Sequence, residues 1–359
     1  MIVLVSLAMS AVLCAPGFSG ERMVHRRAGA PSIPVEQVEV QTDGLKIFSR
    51  RNGLDETQLI PWDRVAGVDE PLTGRQPIGL EDRLRVGSLL WRGRTRLLRG
   101  DARLAAPVFQ EAWTELALER SAAAALAAEG LVRASIARGV PHEAFVPALA
   151  LAALNGEGFR AGRFQELPPL FDRATGLVAD LPPVSSEPDR AAAVKGLDSW
   201  IASARGDAQV RGQLFRAILL RESIDGDGLG STSDDGGIKF LRLLAETGAF
   251  DADIRHQARR RLHTLREEVP LWQQAWIAFF IGRSLAEFEE DPALRRLGML
   301  ELLHVPPLGA AAPSGLSLRS LRLAASTAVD LGREREAAIL ESLALVLQAP
   351  PDVASETSP

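Results

Sequence analysis

The stretch LRVGSLLWRGRTRLLRGDARLAAPVFQEAWTELALER, residues 84–120, decides the fold of this 359-residue chain. Its apolar side chains recur every three or four positions on both sides of Gly100 and Asp101, which is the spacing of two amphipathic helices. They are Leu84, Leu89, Leu90, Leu97 and Leu98 before the break, and Ala105, Phe109, Ala112, Trp113 and Leu116 after it. Because the turn is so short, the two predicted helices lie antiparallel as a helical hairpin.

The same pattern continues toward the C-terminus. Apolar stripes, each closed by Gly or Pro, predict ten or eleven helices in a helical-repeat domain over residues 80–349. Two segments resemble each other: Gly100-Asp101-Ala102 precedes Val108-Phe109, and Gly206-Asp207-Ala208 precedes Leu214-Phe215 at the same offsets. They lie roughly three units of about 35 residues apart, which indicates an internal repeat whose exact count and register stay open.

These positions resemble the tetratricopeptide repeat family, whose unit is a helix hairpin of about 34 residues with a small residue in each helix and an aromatic in the second. The matching residues are Gly93, Gly100, Asp101, Ala105, Phe109 and Ala112, with partial matches at Gly282 and Pro306 and at Gly332, Ala337 and Ala344. Arg96 stands where the family prefers an aromatic, and the central part departs from the period. The resemblance implies a superhelical solenoid of α–α hairpins that binds a protein or peptide and carries no catalytic residue, while a generic helical solenoid stays open.

Residues 34–70 differ from the helical part and predict a small β-hairpin unit. Val35, Val38 and Val40 alternate with polar residues before the turn signal Asp43-Gly44. So few strands are not stable alone, and we expect their apolar face, with Trp62, to pack on the first helices. A second interpretation makes Trp62 a platform that stacks on a ligand. The fold class is therefore mainly α with a small N-terminal β unit, preceded by a linker at residues 21–33.

The N-terminus carries the uncharged run IVLVSLAMSAVLCA, residues 2–15, which is typical of a secretory signal peptide. The run is shorter than the roughly 20 residues that a membrane-spanning helix needs. We expect a signal peptide over residues 1–20, a periplasmic or secreted mature chain without a transmembrane span, and a disordered tail at residues 350–359. Whether the signal is cleaved or acts as an anchor stays open.

Composition excludes several classes of function. The chain is 46% hydrophobic and 24% charged, as in a soluble globular protein, and its net charge of −5 gives no positive field for nucleic acid. One cysteine and no tyrosine remove disulfide frameworks and multi-cysteine metal sites. We therefore expect no enzyme, no cofactor and no metal. A calcium site in the acidic loop 225–235 stays open, because Asp225, Asp227 and Gly230 fit a calcium loop whereas Leu229 and Gly236 do not.

The expected function is a non-enzymatic scaffold that binds a protein or peptide. In hairpin arrays the first helix of each pair lines the concave surface. Four arginines at exposed positions beside the core stripe are the candidate partner-binding residues: Arg92, Arg96, Arg133 and Arg283. Guanidinium groups fork onto carboxylates, so we expect an acidic or carboxylate-terminated ligand. The alternative is that each arginine pairs with a neighbouring acid and contributes little.

A second class of function is a carbohydrate-active enzyme on an α/α toroid. It requires a deep pocket with two carboxylates about 5–10 Å apart. Two further patterns are interpreted as structural. Trp272, Trp276, Phe279 and Phe280 form an aromatic stripe that predicts helix-to-helix core, and Ser284 lacks the strand that a nucleophile elbow needs.

Overall fold

The computed structural model describes residues 22–51, 54–69, 79–159, 164–222, 234–312 and 314–348. The expected signal peptide, the ligand positions of the calcium-like loop and the C-terminal tail lie outside these residues. The chain divides into two compact units, residues 1–88 and residues 89–359, and each is described by itself.

The first unit contains a small antiparallel β region. Its strands are β1 (Arg22–Arg26), β2 (Ile33–Val35), β3 (Gln37–Val40), β4 (Gly44–Arg51), β5 (Leu54–Pro61) and β6 (Val65–Val68). They form two three-stranded sheets in the orders β2-β1-β6 and β3-β4-β5. Val40 pairs with Leu45 across the turn at Asp43-Gly44, so the predicted hairpin is confirmed. Strand β1 lies in the segment that was expected to be a linker.

Trp62 belongs to the core of this first unit. Its side chain is 1% exposed, and its indole nitrogen donates hydrogen bonds to the carbonyl oxygens of Gln41 and Thr42. Gly87, on the helix that begins at Leu80, lies so close that a Cβ there would overlap the carbonyl oxygen of Trp62. The core interpretation of Trp62 is confirmed, because a buried ring that is packed on a helix has no free face for a ligand.

The rest of the described chain is mostly helical. The helices are α1 (Leu80–Leu98), α2 (Ala102–Leu116), α3 (Ala122–Ala137), α4 (Phe145–Gly156), α5 (Glu187–Ser203), α6 (Gly206–Leu220), α7 (Gly236–Glu246), α8 (Ala252–Leu265), α9 (Leu271–Phe288), α10 (Pro292–Leu303), α11 (Ser314–Asp330) and α12 (Glu334–Gln348). From α2 onward, each helix packs against the next one in the chain. The described residues thus hold twelve helices where the periodicity predicted ten or eleven. None of the described helices is both long and apolar enough to cross a membrane.

Capping residues explain where several helices begin. A Ser or Asp side chain accepts a hydrogen bond from an amide of the first turn, which satisfies a backbone donor that has no partner inside the helix. This occurs at Asp101, Ser121, Ser186, Asp235, Asp251 and Asp291. The helix boundaries therefore follow from local sequence as well as from the apolar stripes.

Helix α9 lies at the centre of the core of the second unit. Trp276 and Phe280 are fully buried and Phe279 is 4% exposed, so the aromatic stripe is core, as predicted. Only two residues of this helix are charged, Arg283 and Glu287. Arg283 is 7% exposed and the side chain of Glu287 is 18% exposed, so both charged groups are largely buried.

A non-helical segment, residues 164–186, separates α4 from α5. It packs into the core through buried side chains such as Leu177 and Leu181, and the carbonyl oxygen of Ala179 accepts a hydrogen bond from Trp276 Nε1 at 3.2 Å. This segment interrupts the succession of helices in the central part of the sequence, where the repeat period fails.

Candidate functional site

A cavity of about 160 Å³ in the second unit is lined by an unusual number of arginines. Helices α5, α6, α9 and α11 and residues 183–185 enclose it. We call it the arginine pocket, and it is lined by Pro183, Val184, Ser185, Arg190, Ile218, Leu219, Arg221, Phe279, Arg283, Glu287, Arg319 and Leu323. Four guanidinium groups thus face one carboxylate in a space the size of a small molecule.

Arg283 is the most buried of these arginines. Its side chain is 7% exposed, and its guanidinium carbon lies 4.6 Å from the centre of the Phe280 ring. Among the described residues no group forms an ion pair with Arg283, and its Nε has no hydrogen-bond acceptor. Burial lowers the pKa of Arg283 to about 10, and the positive charges of Arg221 and Arg190 add to this effect, while Glu287 opposes it. The site therefore holds a buried cation whose charge is compensated only in part, by Glu287.

Glu287 and Arg221 form an ion pair at the wall of the pocket. Arg221 Nη2 lies 3.1 Å from Glu287 Oε1, whereas Glu287 Oε2 is buried and has no donor within the described chain. Arg221 follows the last residue of α6 and has a left-handed backbone with φ of +58°. Residues other than Gly and Asn rarely adopt this backbone conformation. Backbone strain of this kind often occurs at functional sites.

Arg190 and Arg319 complete the positive charge. Arg190 Nη2 lies 2.6 Å from Glu187 Oε2, whose side chain is 80% exposed. Burial lowers the pKa of Arg319, with Asp189 opposing the shift and the neighbouring arginines adding to it. No ion-pair partner within 4.0 Å is found for Arg319 in the described residues. Two of the four guanidinium groups thus have a carboxylate partner and two do not.

Three buried polar atoms of the arginine pocket lack a hydrogen-bond partner among the described residues: Arg283 Nε, Glu287 Oε2 and Ser185 Oγ. A buried donor or acceptor without a partner costs about 1–3 kcal/mol. Native proteins contain few such groups, and each needs an explanation, such as water or a ligand. All three atoms belong to residues that line the arginine pocket.

A larger cavity of about 620 Å³ adjoins the arginine pocket and shares Val184 and Arg319 with it. Its remaining lining residues are Ile136, Gly139, Pro141, Asp180, Pro182, Ser186, Glu187, Asp189, Gly315, Leu316, Leu318, Arg322 and Leu347. Three of them are acidic and none is aromatic. Asp189 is already engaged, because it contacts the hydroxyl of Ser186 and lies 3.6 Å from His142 Nδ1.

The four arginines that the sequence predicts as partner-binding residues have different surroundings in the structure. Arg92 is exposed on α1, and Arg96 Nη1 donates to the carbonyl oxygen of Leu104 at 3.0 Å. Arg133 Nη2 lies 2.8 Å from Glu129 Oε1 on the same helix. Arg283 alone among the four lines either of the two cavities, and it is buried where an exposed position was expected.

Sequence reasoning missed four residues of the pocket, Arg190, Arg221, Glu287 and Arg319. Only one signal pointed to any of them: Arg283 and Glu287 lie four residues apart in a helix that is otherwise free of charge. Residues at this spacing share a helix face, so the pair marks a polar spot on a buried surface. The other three lie on different elements, and no pattern within one helix reveals them.

Ser284, next to Arg283, has a structural role. Its hydroxyl donates to the carbonyl oxygen of Thr247 at 2.6 Å and accepts from Arg259 Nη1 at 3.1 Å. A further search of the described residues finds no group of three or more His, Cys, Asp or Glu side chains arranged to hold a metal ion.

Comparisons with protein families, with curated proteins and with solved structures found no match.

Proposed function

We propose that the protein is a non-enzymatic binding module that holds an acidic protein or peptide partner through the arginine pocket. The observation that carries this proposal is Arg283, a guanidinium that is 7% exposed and forms no direct ion pair within the described chain. Removing a charge from water costs several kcal/mol unless a partner compensates it. An anionic group on the ligand would supply that compensation, together with acceptors for the unpaired donors.

The proposal includes a solenoid of hairpins similar to tetratricopeptide repeats. Its support is the succession of helices α2 to α12, each packed on the next. A small-to-aromatic contact at the family's positions also supports it, since a Cβ on Gly93 would lie 3.0 Å from the Phe109 ring. A stack of helix pairs presents an extended surface along which a peptide can lie.

A pair of labelled peptides tests the proposal. One peptide is rich in glutamate, and its control carries glutamine at the same positions. We expect the full chain to bind the acidic peptide in fluorescence anisotropy and not to bind the control. Only the carboxylates carry a negative charge that can compensate the positive charge of Arg283. The variant Arg283→Met should lose this binding. Equal binding of both peptides, or undiminished binding by the variant, would overturn the proposal.

The alternative, a carbohydrate-active enzyme, has weaker support from the geometry. The larger cavity has three acidic residues in its lining, Asp180, Glu187 and Asp189, which is the residue type such an enzyme needs. Its lining contains no aromatic ring on which a sugar could stack. In addition, Glu187 and Asp189 already pair with Arg190 and Ser186. Hydrolysis of a glycan by the wild-type chain, lost in Asp180→Asn, would favour the enzyme.

Export to the periplasm or the medium remains part of the proposed role, on the strength of residues 2–15 alone. N-terminal sequencing of the protein from its native host provides the test. We expect the mature chain to begin near Gly20. An intact Met1 in a soluble cytosolic fraction would contradict export.

A further inference from the structure

We infer that the outer face of α12 is the contact surface of a symmetric dimer, in which the α12 helices of two copies of this chain pack antiparallel. The inference concerns four side chains that we call the outer stripe: Ile339, Leu343, Val346 and Leu347. It is independent of the proposed function, because none of the residues that carry it lines the arginine pocket.

The first step concerns the apolar pattern of α12. One side of the helix is buried through Ala337, Leu340 and Ala344, and α12 packs against α11. The outer stripe follows the spacing i, i+4, i+7 and i+8, which places its members on a second side of the helix. In chain order they are 59%, 47%, 71% and 52% exposed. Helix α12 is therefore apolar on two sides, and the described chain covers only one of them.

The second step concerns what covers the outer stripe. Helix α12 is the last helix that the structure describes, and a helical array needs a polar outer face where it ends in water. The residues that follow Gln348 are APPDVASETSP, with one large apolar side chain, Val353. The apolar run 2–15 belongs to the expected signal peptide. Another molecule with an apolar stripe is thus the fitting cover, and α12 of a second copy carries such a stripe.

The third step concerns the charged residues beside the outer stripe. Arg322 of α11 lies at its C-terminal end, where Arg322 Nη2 donates to Gln348 Oε1 at 2.8 Å. Glu336 lies at its N-terminal end, in an exposed ion pair with Arg333. Arg322 itself forms no ion pair within the described chain. One end of the stripe thus offers a carboxylate, and the other end offers a cation that lacks one.

Glu336 and Arg322 also lie on the same flank of the stripe. Glu336 and Leu347 are eleven residues apart, which is about three helical turns, so both lie along one side of α12. Leu347 and Arg322 line the same larger cavity. A two-fold axis keeps this flank of one copy beside the same flank of the other. The dimer therefore brings Glu336 of each copy toward Arg322 of the other.

The positions along the helix also match in an antiparallel pair. With the axis at Leu343, Glu336 lies seven residues before the axis and Gln348 five residues after it. Glu336 of one copy is thus offset from the Arg322–Gln348 contact of the other by two residues, or roughly 3 Å, which an arginine side chain spans. Arg335, which has no ion pair in the described residues, approaches the C-terminal end of the other α12, where the helix dipole favours a cation. A parallel pair would instead place Glu336 beside Glu336.

Sedimentation equilibrium of the full chain tests the inference. We expect twice the mass of one chain at about 100 µM and a dissociation constant in about the micromolar range, because each copy contributes only one helix and its flanks. Leu343→Glu places two carboxylates opposite each other at the axis and should weaken the dimer at least about 100-fold. If this variant does not fold, Val346→Glu, at the most exposed position of the stripe, should give the same loss. A wild type that is monomeric at about 100 µM would overturn the inference.

Leu345→Glu is the matched control. Leu345 is 64% exposed on the same helix, but it lies about 160° around the axis of α12 from Leu343. This variant adds the same charge to the same helix and should keep the dimer affinity within about threefold of the wild type. Both glutamate variants should keep the helical circular dichroism of the wild type. Loss of the dimer in both would show that exposed leucines associate without specificity, and the assignment of the outer stripe would be wrong.

Charge reversal tests the antiparallel arrangement. Glu336→Arg and Arg322→Glu should each weaken the dimer by roughly 3- to 30-fold, because two such ion pairs form in the symmetric dimer. The double variant restores opposite charges across the interface and should bind within about threefold of the wild type. If the double variant is as weak as the two single losses combined, the two residues do not meet, and the arrangement that we infer is wrong.

A membrane surface is the rival partner for the outer stripe. Binding of vesicles of anionic lipid by a wild type that stays monomeric, lost in Leu343→Glu, would assign the stripe to a membrane and overturn the dimer. The proposed function is tested separately, since Leu343→Glu should bind the glutamate-rich peptide as tightly as the wild type does. A dimer with no binding of this peptide would support the inference and contradict the proposed function.

Discussion

Arg221 Nη2 lies 3.1 Å from Glu287 Oε1, and this ion pair joins the C-terminal cap of α6 to the last turn of α9. Arg221 has a left-handed backbone with φ of +58°. The ion pair occupies one oxygen of Glu287 and leaves the other without a donor. A residue with a left-handed backbone thus contacts the carboxylate of Glu287 at the wall of the arginine pocket.

Arg221→Gly should have little effect on stability. The ion pair between these partly exposed side chains contributes at most about 1 kcal/mol, and relief of the left-handed backbone restores a similar amount. We expect the free energy of unfolding in urea to stay within about 1 kcal/mol of the wild type. Arg221→Ala loses the same ion pair but keeps the strain, so it should be about 1 kcal/mol less stable than Arg221→Gly. Equal stability of the two variants would argue against strain at this position.

Gly298→Ala should destabilise the second unit, because α9 and α10 approach each other closely at this residue. A Cβ on Gly298 would lie 2.7 Å from the amide nitrogen of Ala286 and 2.8 Å from the carbonyl oxygen of Gly282, and backbone atoms cannot rotate away. We expect a loss of about 1–3 kcal/mol in chemical denaturation. Gly156→Ala, where a Cβ would meet nothing within 4 Å, is the control and should show no loss.

Glu246→Gln should make stability less dependent on pH. Burial raises the pKa of Glu246, and the positive charges of Arg261 and Arg242 only partly oppose the shift. A carboxyl with a raised pKa stabilises the fold fully below its unfolded pKa of about 4.3, and this contribution is lost as the pH rises through the folded pKa. Gln stays neutral, so the variant should unfold at higher urea than the wild type at neutral pH. The difference should disappear below about pH 4, and a variant that is less stable at neutral pH would contradict the prediction.

Arg211→Met should be strongly destabilising. Arg211 is 9% exposed, donates to the carbonyl oxygens of Thr175 and Gly176, and lies 2.6 Å from Asp235 Oδ2. Its removal leaves these acceptors buried, so we expect a loss of about 3–5 kcal/mol in urea denaturation. If this variant does not fold, Arg211→Lys keeps the charge, loses the forked geometry and should show a smaller loss. If both variants unfold at the same urea concentration as the wild type, the hydrogen bonds and the ion pair of Arg211 contribute nothing to stability.

Local patterns predicted most of the fold. The 3.6-residue period located the helices, and residues such as Asp101 and Ser121 cap the helices that follow them. Asp43-Gly44 predicted the β3–β4 hairpin. Strand β1, with the sequence RMVHR, has one buried side chain, Val24, and three charged or ionisable ones, so its apolar alternation is too short to detect.

The candidate site was predictable only in part. Arg283 was predicted to be an exposed partner-binding residue, and it lines the arginine pocket. Its burial was not predicted, because exposure on a helix depends on which elements pack over it. Arg190 and Arg319 reach the same pocket from α5 and α11. Residues 183–185 of the non-helical segment line the same pocket, and this segment follows no period. A single sequence gives no pattern that predicts contacts between residues so far apart in the chain.

The hydrogen bond between Trp276 and Ala179 joins residues 97 positions apart in the sequence. Helical hairpins close short loops and form quickly, whereas contacts of this separation pay a larger entropy of loop closure and form late. The segment that carries Ala179 also supplies Ser185 to the arginine pocket, so we expect the pocket to be completed after the transition state for folding. An anion bound there should therefore slow unfolding while leaving the folding rate unchanged, and would protect the protein kinetically only once it has reached its native state.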